Sequence, residues 1–238
     1  MSNAPYDFHV SVDGRDVGVA LRVHPLARSL RLRYDGVRHA LILTLPPRAS
    51  HRAAREWAEG QQLWIAAQLA KQVPSHRVGP GSRLPWGDAT VLIDWGEGRS
   101  RAATLDGDRL CLGGPVESVG GRVGRWMKAR ALADYRARTE RVARVAGLVC
   151  HGVGIGDPRF RWGSCNAAGQ IRYSWRLIMA PDFVRHALVA HEVAHLAHMN
   201  HGPAFHALVE QLAGDDHARS RLWLKAHGRD LHRWRFEM

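Results

Sequence analysis

At 238 residues, with 45% hydrophobic and 24% charged side chains, the chain can bury a core without staples and is no disordered polyelectrolyte. Three cysteines (Cys111, Cys150 and Cys165) with no CxxC pair exclude a cysteine-rich structural metal site and fit a reducing compartment. The formal charge of +12 rests almost wholly on arginine, since Lys71, Lys128 and Lys225 are the only lysines.

Such a field attracts phosphates and other polyanions, so a nucleotide or nucleic acid is a candidate partner. The arginines form no dense run, which also fits a scattered, solvated surface. Residues 1–10 lack the basic and apolar regions of a secretory leader. No apolar stretch reaches the ~18–20 residues a membrane span needs. A cytoplasmic protein with no membrane partner is expected.

The first half reads as strands and turns. Phe8–Val12 and Gly18–Val23 alternate in polarity about the turn signal Asp13-Gly14. Ser29–Tyr34 and His39–Leu45 flank Asp35-Gly36, a hairpin signal. Pro46-Pro47 stops the second strand, and Ser50 caps a helix expected to run to about Lys71, with Trp57, Leu63, Trp64 and Ile65 as anchors. Strands are expected again around Thr90–Trp95, Ala102–Leu105 and Arg109–Leu112. The glycine-rich stretch from Gly113-Gly114-Pro115 to Gly120-Gly121 marks the expected domain boundary. Beyond it come a long helix over Arg122–Val145, a strand region over Arg159–Trp175, and helices over Pro181–His198, Ala204–Leu212 and Ala218–His227. No internal repeat is visible.

Chemistry concentrates in His191-Glu192-Val193-Ala194-His195. On a helix the two histidines lie roughly 40° apart and ~6 Å along the axis, so both imidazoles can hold one ion. Glu192, about 100° round from His191, can reach a water at that ion but not replace a ligand. Val184, Ala187, Leu188, Val189, Ala190, Val193, Ala194 and Leu196 make the helix apolar almost all round, and polar groups buried on it need a partner. A catalytic zinc takes three protein ligands and keeps one open position. His201 supplies the third, at a turn set by Gly202-Pro203, with Pro203 placed to open the next helix. Glu210 is the alternative third ligand, and His198 lies on the same helix face.

The second half resembles the YgjP-like and SprT-like group of small zincin metallopeptidases. The likeness rests on Arg161-Trp162-Gly163-Ser164-Cys165, on Tyr173-Ser174-Trp175-Arg176-Leu177-Ile178-Met179-Ala180-Pro181, on the HExxH segment and on Asn200-His201-Gly202-Pro203-Ala204-Phe205. It covers about residues 122–238, and the strand-rich first half is similar to YgjP-like members too. Gly202-Pro203 and Phe205-His206 sit closer to the SprT-like form. The resemblance implies one zinc per chain on His191, His195 and His201, Glu192 as catalytic base, and a small sheet packed over the active-site helix.

The expected fold is therefore α+β: a strand-rich N-terminal module with one helix (1–114), then a zincin-like metallopeptidase domain (115–238). Peptide-bond hydrolysis is the leading reading, with a strand such as Ile171–Trp175 pairing along an extended protein or peptide substrate. Arg161, Ser164, Arg172, Tyr173 and Arg176 are the candidate substrate-binding residues. Trp162 and Cys165 read most simply as core. Two alternatives stay open. One is hydrolysis of a nucleoside triphosphate, held by Arg161, Arg172 and Arg176 since there is no GxxxxGK[ST] loop. The other is a basic nucleic-acid-associated protein with structural zinc, although a structural site has no use for Glu192. Three imidazoles also accept other divalent ions.

Overall fold

The computed structural model describes residues 6–36, 40–70, 75–158 and 161–236, and the chain divides into two compact units, 1–74 and 75–238. The fold is α+β.

In the first unit, β1 (Phe8–Val12), β2 (Arg15–Val23), β3 (Arg31–Asp35) and β4 (Ala40–Leu45) form a sheet in the order β1-β2-β4-β3. The outer pairs are antiparallel and the central β2–β4 pair is parallel. Asp13 and Gly14 both have positive φ, 50° and 73°, the backbone a tight two-residue hairpin demands. The expected hairpin over Asp35-Gly36 is present as the β3–β4 pair, although His39 lies outside the described residues. Ser50 caps α1 (His51–Glu59) by accepting a hydrogen bond from the Ala53 N–H. The single helix expected here is broken at Gly60, and α2 (Gln62–Ala70) starts anew; Lys71 lies outside the described residues. That break resets which positions face inward. Of the four expected anchors only Ile65 is buried, alongside Ala54 and Ala58, whereas Leu63 is 90% exposed.

The second unit begins with β5 (His76–Arg77), which pairs in parallel with the last strand, β13 (Trp234–Arg235). Next, β6 (Arg83–Trp86), β7 (Ala89–Trp95), β8 (Thr104–Asp106) and β9 (Arg109–Leu112) form a sheet in the order β6-β7-β9-β8. Its outer pairs are again antiparallel and its central pair parallel. The topology of the first sheet thus recurs, a repeat the sequence does not display.

The expected boundary at residues 114/115 is corrected here: the units part at Pro74/Ser75. The reason lies in the core. Leu84, Val91, Ile93, Leu110 and Leu112 of the second sheet are buried in one cluster with Val123, Met127, Ala131 and Tyr135 of α3 (Val119–Ala146). Each such side chain contributes roughly 1.5–3 kcal/mol by leaving water, so sheet and helix are one cooperative body. Gly147, at φ 66°, ends α3 by donating its N–H to the Ala143 and Arg144 carbonyls.

A three-stranded sheet follows, ordered β10-β12-β11 from β10 (Gly152–Gly156), β11 (Gly163–Cys165) and β12 (Gln170–Ser174). Then come α4 (Asp182–Ala194), α5 (Pro203–Ala213) and α6 (Asp216–Leu231). Helix α4 is central, packed by α3, α5, α6 and β11. No helix among the described residues is long and apolar enough to cross a membrane.

Candidate metal centre

Helix α4 reaches the site because almost every side it presents is covered. Val184, Ala187, Val189, Ala190, Val193 and Ala194 are all buried. His191 and Glu192 lie in its last turn, and His195 caps it, still in helical geometry at φ −66°. The helix stops there rather than running on to His198. The chain then turns through Asn200 and re-enters helix at Pro203, the first residue of α5, as its fixed φ suits. That turn brings His201 back over α4.

One nitrogen from each of His191, His195 and His201 lies within 4.8 Å of the other two, and the Nε2 atoms of His191 and His201 are 3.4 Å apart. Among the described residues this is the one such cluster of three or more metal-ligating side chains. The His195 Nδ1–H donates to the His198 carbonyl at 3.0 Å, which leaves Nε2 of that ring as its free lone pair. His198 therefore contributes its backbone. Glu210, the alternative third ligand, is exposed on α5 and stands outside the cluster.

Phe205, which sequence reasoning missed, is the floor of this site. Fully buried, its ring centroid lies 5.0, 4.6 and 4.7 Å from those of His191, His195 and His201. Its position four residues after His201, one turn into α5, is the signal that could have found it. His217 of α6 is the other residue missed; its ring is stacked 5.7 Å from His191.

Electrostatics favour a cation. Burial, then the neighbouring His195, His217, His201 and Arg221, hold His191 down at about 4. Burial also lowers His195 and His217. His191 and His195, held towards their neutral forms, can ligate without first losing a proton. Glu192 is 4% exposed, and its Oε2 has no hydrogen-bond partner. Burial pushes its carboxyl up to about 7, against the pull of Arg161. A buried carboxylate without a partner beside three converging ring nitrogens is the donor set a divalent ion with an open coordination position requires.

Strand β11 covers this carboxylate. A Cβ on Gly163 would fall 2.3 Å from Glu192 Oε1, so only glycine lets the strand approach so closely. Trp162, just before it, lies against Gly228 of α6 and tilts over His232 at 5.3 Å.

Of the five candidate substrate-binding residues, Arg161 is exposed and close enough to act on Glu192. Ser164 pairs with Arg172 across β11 and β12; by strand alternation both project from the face opposite Gly163 and the buried Tyr173. Arg172 there donates to the Ile155 carbonyl. Two assignments are corrected. Tyr173 is a core residue, 1% exposed, stacked on Tyr135 at 4.4 Å and hydrogen-bonded to Thr139. Arg176, 6% exposed, grips Asp157 with two nitrogens and donates to the Leu231 and Trp234 carbonyls, so four of its five N–H donors are engaged within the fold.

The family model described as YgjP-like, metallopeptidase domain, matches residues 28–227. A solved structure, the metallopeptidase zymogen of Pyrococcus abyssi abylysin, is similar over 38% of this chain and 93% of its own, at 18% identity and a TM-score of 0.35. No curated protein sequence matches the chain.

Proposed function

The chain belongs to the YgjP-like metallopeptidase domain family, and from that premise we propose that it hydrolyses peptide bonds with one zinc ion held by His191, His195 and His201. The observation that carries this reading is the convergence of His191, His195 and His201 nitrogens, with buried Glu192, its Oε2 unpartnered, next to His191 in the same helix turn. When bound, zinc polarises a carbonyl and lowers the pKa of a water molecule from ~15.7 towards ~7.

The chain's own residues supply the rest. Glu192 Oε2 takes the proton from the attacking water and returns it to the leaving amine, a task suited to a carboxyl held near 7. Phe205 and the His198 carbonyl keep the rings oriented. An extended substrate pairs along β11, the edge strand beside Glu192, and not along Ile171–Trp175 as the sequence suggested. Strand β12 is flanked on both sides, so its backbone groups are already engaged. The phosphoanhydride reading relies on Arg161, Arg172 and Arg176, and Arg176 is buried with four of its five donors engaged in the fold.

Elemental analysis of wild type and His195→Ala, paired with assays on casein and on nucleoside triphosphates, tests the proposal. One zinc per chain, lost in the variant, with casein cleavage abolished in Glu192→Gln, is the expected result. Phosphate release without peptide cleavage, or no metal after reloading, would overturn it.

A further inference from the structure

Helix α3 carries seven arginines and one lysine against two acids, Asp134 and Glu140. That surplus of six is half the chain's formal charge of +12. The metal centre uses none of these residues. Their placement is ordered. Arg125 and Arg136, eleven residues apart, lie within about 20° of one another around the axis and ~16 Å apart along it. Arg130 and Arg141 repeat that spacing about 140° round the helix. Between the two rows lie Ala129, Ala133 and Ala137, with Arg122, Trp126 and the Glu140–Arg144 pair on the same strip, and all four arginines of the rows are exposed.

The acids do not neutralise this face. Asp134 is turned aside onto Arg138 and Arg185, and Glu140 pairs with Arg144. Arg125, Arg136 and Arg141 have no carboxylate partner among the described residues. In the N-terminal half of the helix Arg130 lies 5.4 Å over the Trp126 ring, which is itself tilted against Trp86 at 4.8 Å.

We propose that this outer face of α3 binds the phosphate backbone of a nucleic acid, an activity separate from peptide hydrolysis. Two rows of guanidiniums without carboxylate partners, spread over ~24 Å of helix from Arg125 to Arg141, match a linear polyanion. A membrane surface fits less well, because the strip between the rows carries exposed alanines and the Glu140–Arg144 pair, with Trp126 half-buried against Trp86, and so offers no broad apolar face to insert. Guanidinium forks suit phosphate oxygens, and the exposed Ala129, Ala133 and Ala137 leave room for a backbone between them.

The test is fluorescence anisotropy of a fluorescein-labelled 20-base-pair DNA duplex against the full chain across a salt series. Wild type binds, and its affinity falls steeply with salt. The triple variant Arg125→Ala/Arg136→Ala/Arg141→Ala binds at least tenfold more weakly, with a salt slope flatter by about 3. A control triple, Arg15→Ala/Arg22→Ala/Arg48→Ala, removes the same charge from exposed positions in the first unit and stays near wild type. Circular dichroism and metal content confirm that both triples fold. Equal weakening by the control, binding indifferent to salt, no binding at 50 mM salt, or equal affinity for anionic lipid vesicles would each overturn the proposal.

Discussion

Gly163 and Glu192 face each other so closely that a Cβ on the glycine would fall 2.3 Å from the carboxylate oxygen Oε1. The strand that covers the site and the acid that would act in it are therefore fitted to each other as backbone to side chain. The expected outcome of Gly163→Ala is a displaced Glu192 in a folded protein. Casein cleavage should fall about a hundredfold, as misplacement of a reacting group by about 1 Å does, while metal content holds at wild-type level. Adding Gly163→Ala to Glu192→Gln should then cost little further activity, because both changes act on one group. Full additivity in that double-mutant cycle would show that Gly163 acts elsewhere.

Burial gives Glu192 and His191 opposite pH dependences in the metal-free chain. With its carboxyl up at about 7 against an ordinary 4.5, folded Glu192 keeps a proton that the unfolded chain has released. Its stabilising contribution is complete below pH 4.5 and is lost as the pH rises through 7. His191, held down at about 4 against an ordinary 6.5, contributes fully above 6.5 and loses that contribution as the pH falls through 4. Between 4.5 and 6.5 the two slopes oppose. Glu192→Gln removes one of them, so the variant should gain on wild type by about 3 kcal/mol from pH 4.5 to 7.5. Urea unfolding in EDTA, followed by tryptophan fluorescence, reads this directly. A gap that does not change with pH would refute it.

Phe205 is buried against all three imidazoles, so its removal should act on metal and fold together. Phe205→Ala is expected to cost about 3–5 kcal/mol through the cavity it leaves. It should also weaken metal binding by about 10–100-fold, the scale seen when support for ligating rings is lost. Phe205→Leu should restore most of the stability but only part of the affinity, since a branched aliphatic chain fills the volume without the flat surface. Competition with a chromogenic chelator measures the second effect.

The histidine triad was readable because its spacing spans eleven residues of one helix and one turn, where local geometry decides what meets. Gly163 could be read as a close backbone approach, though not what it approaches. Tyr173 and Arg176 misled for one reason: both adjoin the active-site block in sequence. Which face of β12 meets the helices depends on α3 and α4, contributed from residues 119–146 and 182–194. Strand β10 escaped notice since three of its five residues are glycine, which carries no strand signal. The repeated four-stranded topology shares turn chemistry and little else, as short strands can keep a register while every apolar residue changes.

Arg176 supplies the clearest contrast between a residue near the site in sequence and one that serves it. Its guanidinium joins the end of β10, through Asp157, to the Leu231 and Trp234 carbonyls, and it lies 4.8 Å over the Trp175 ring. Arg176→Ala leaves those carbonyls without donors and Asp157 without its cation. It should destabilise the chain by roughly 1–3 kcal/mol for each buried carbonyl left without a donor, the half-exposed Asp157 adding less. Arg176→Lys keeps the charge but loses the fork, and should fall between the two. Asp157→Asn should cost less, because that carboxylate is 45% exposed and water can replace part of what is lost. Under conditions where each variant is folded, the KM for a peptide substrate should match wild type. A raised KM with unchanged unfolding midpoint would return Arg176 to the substrate site.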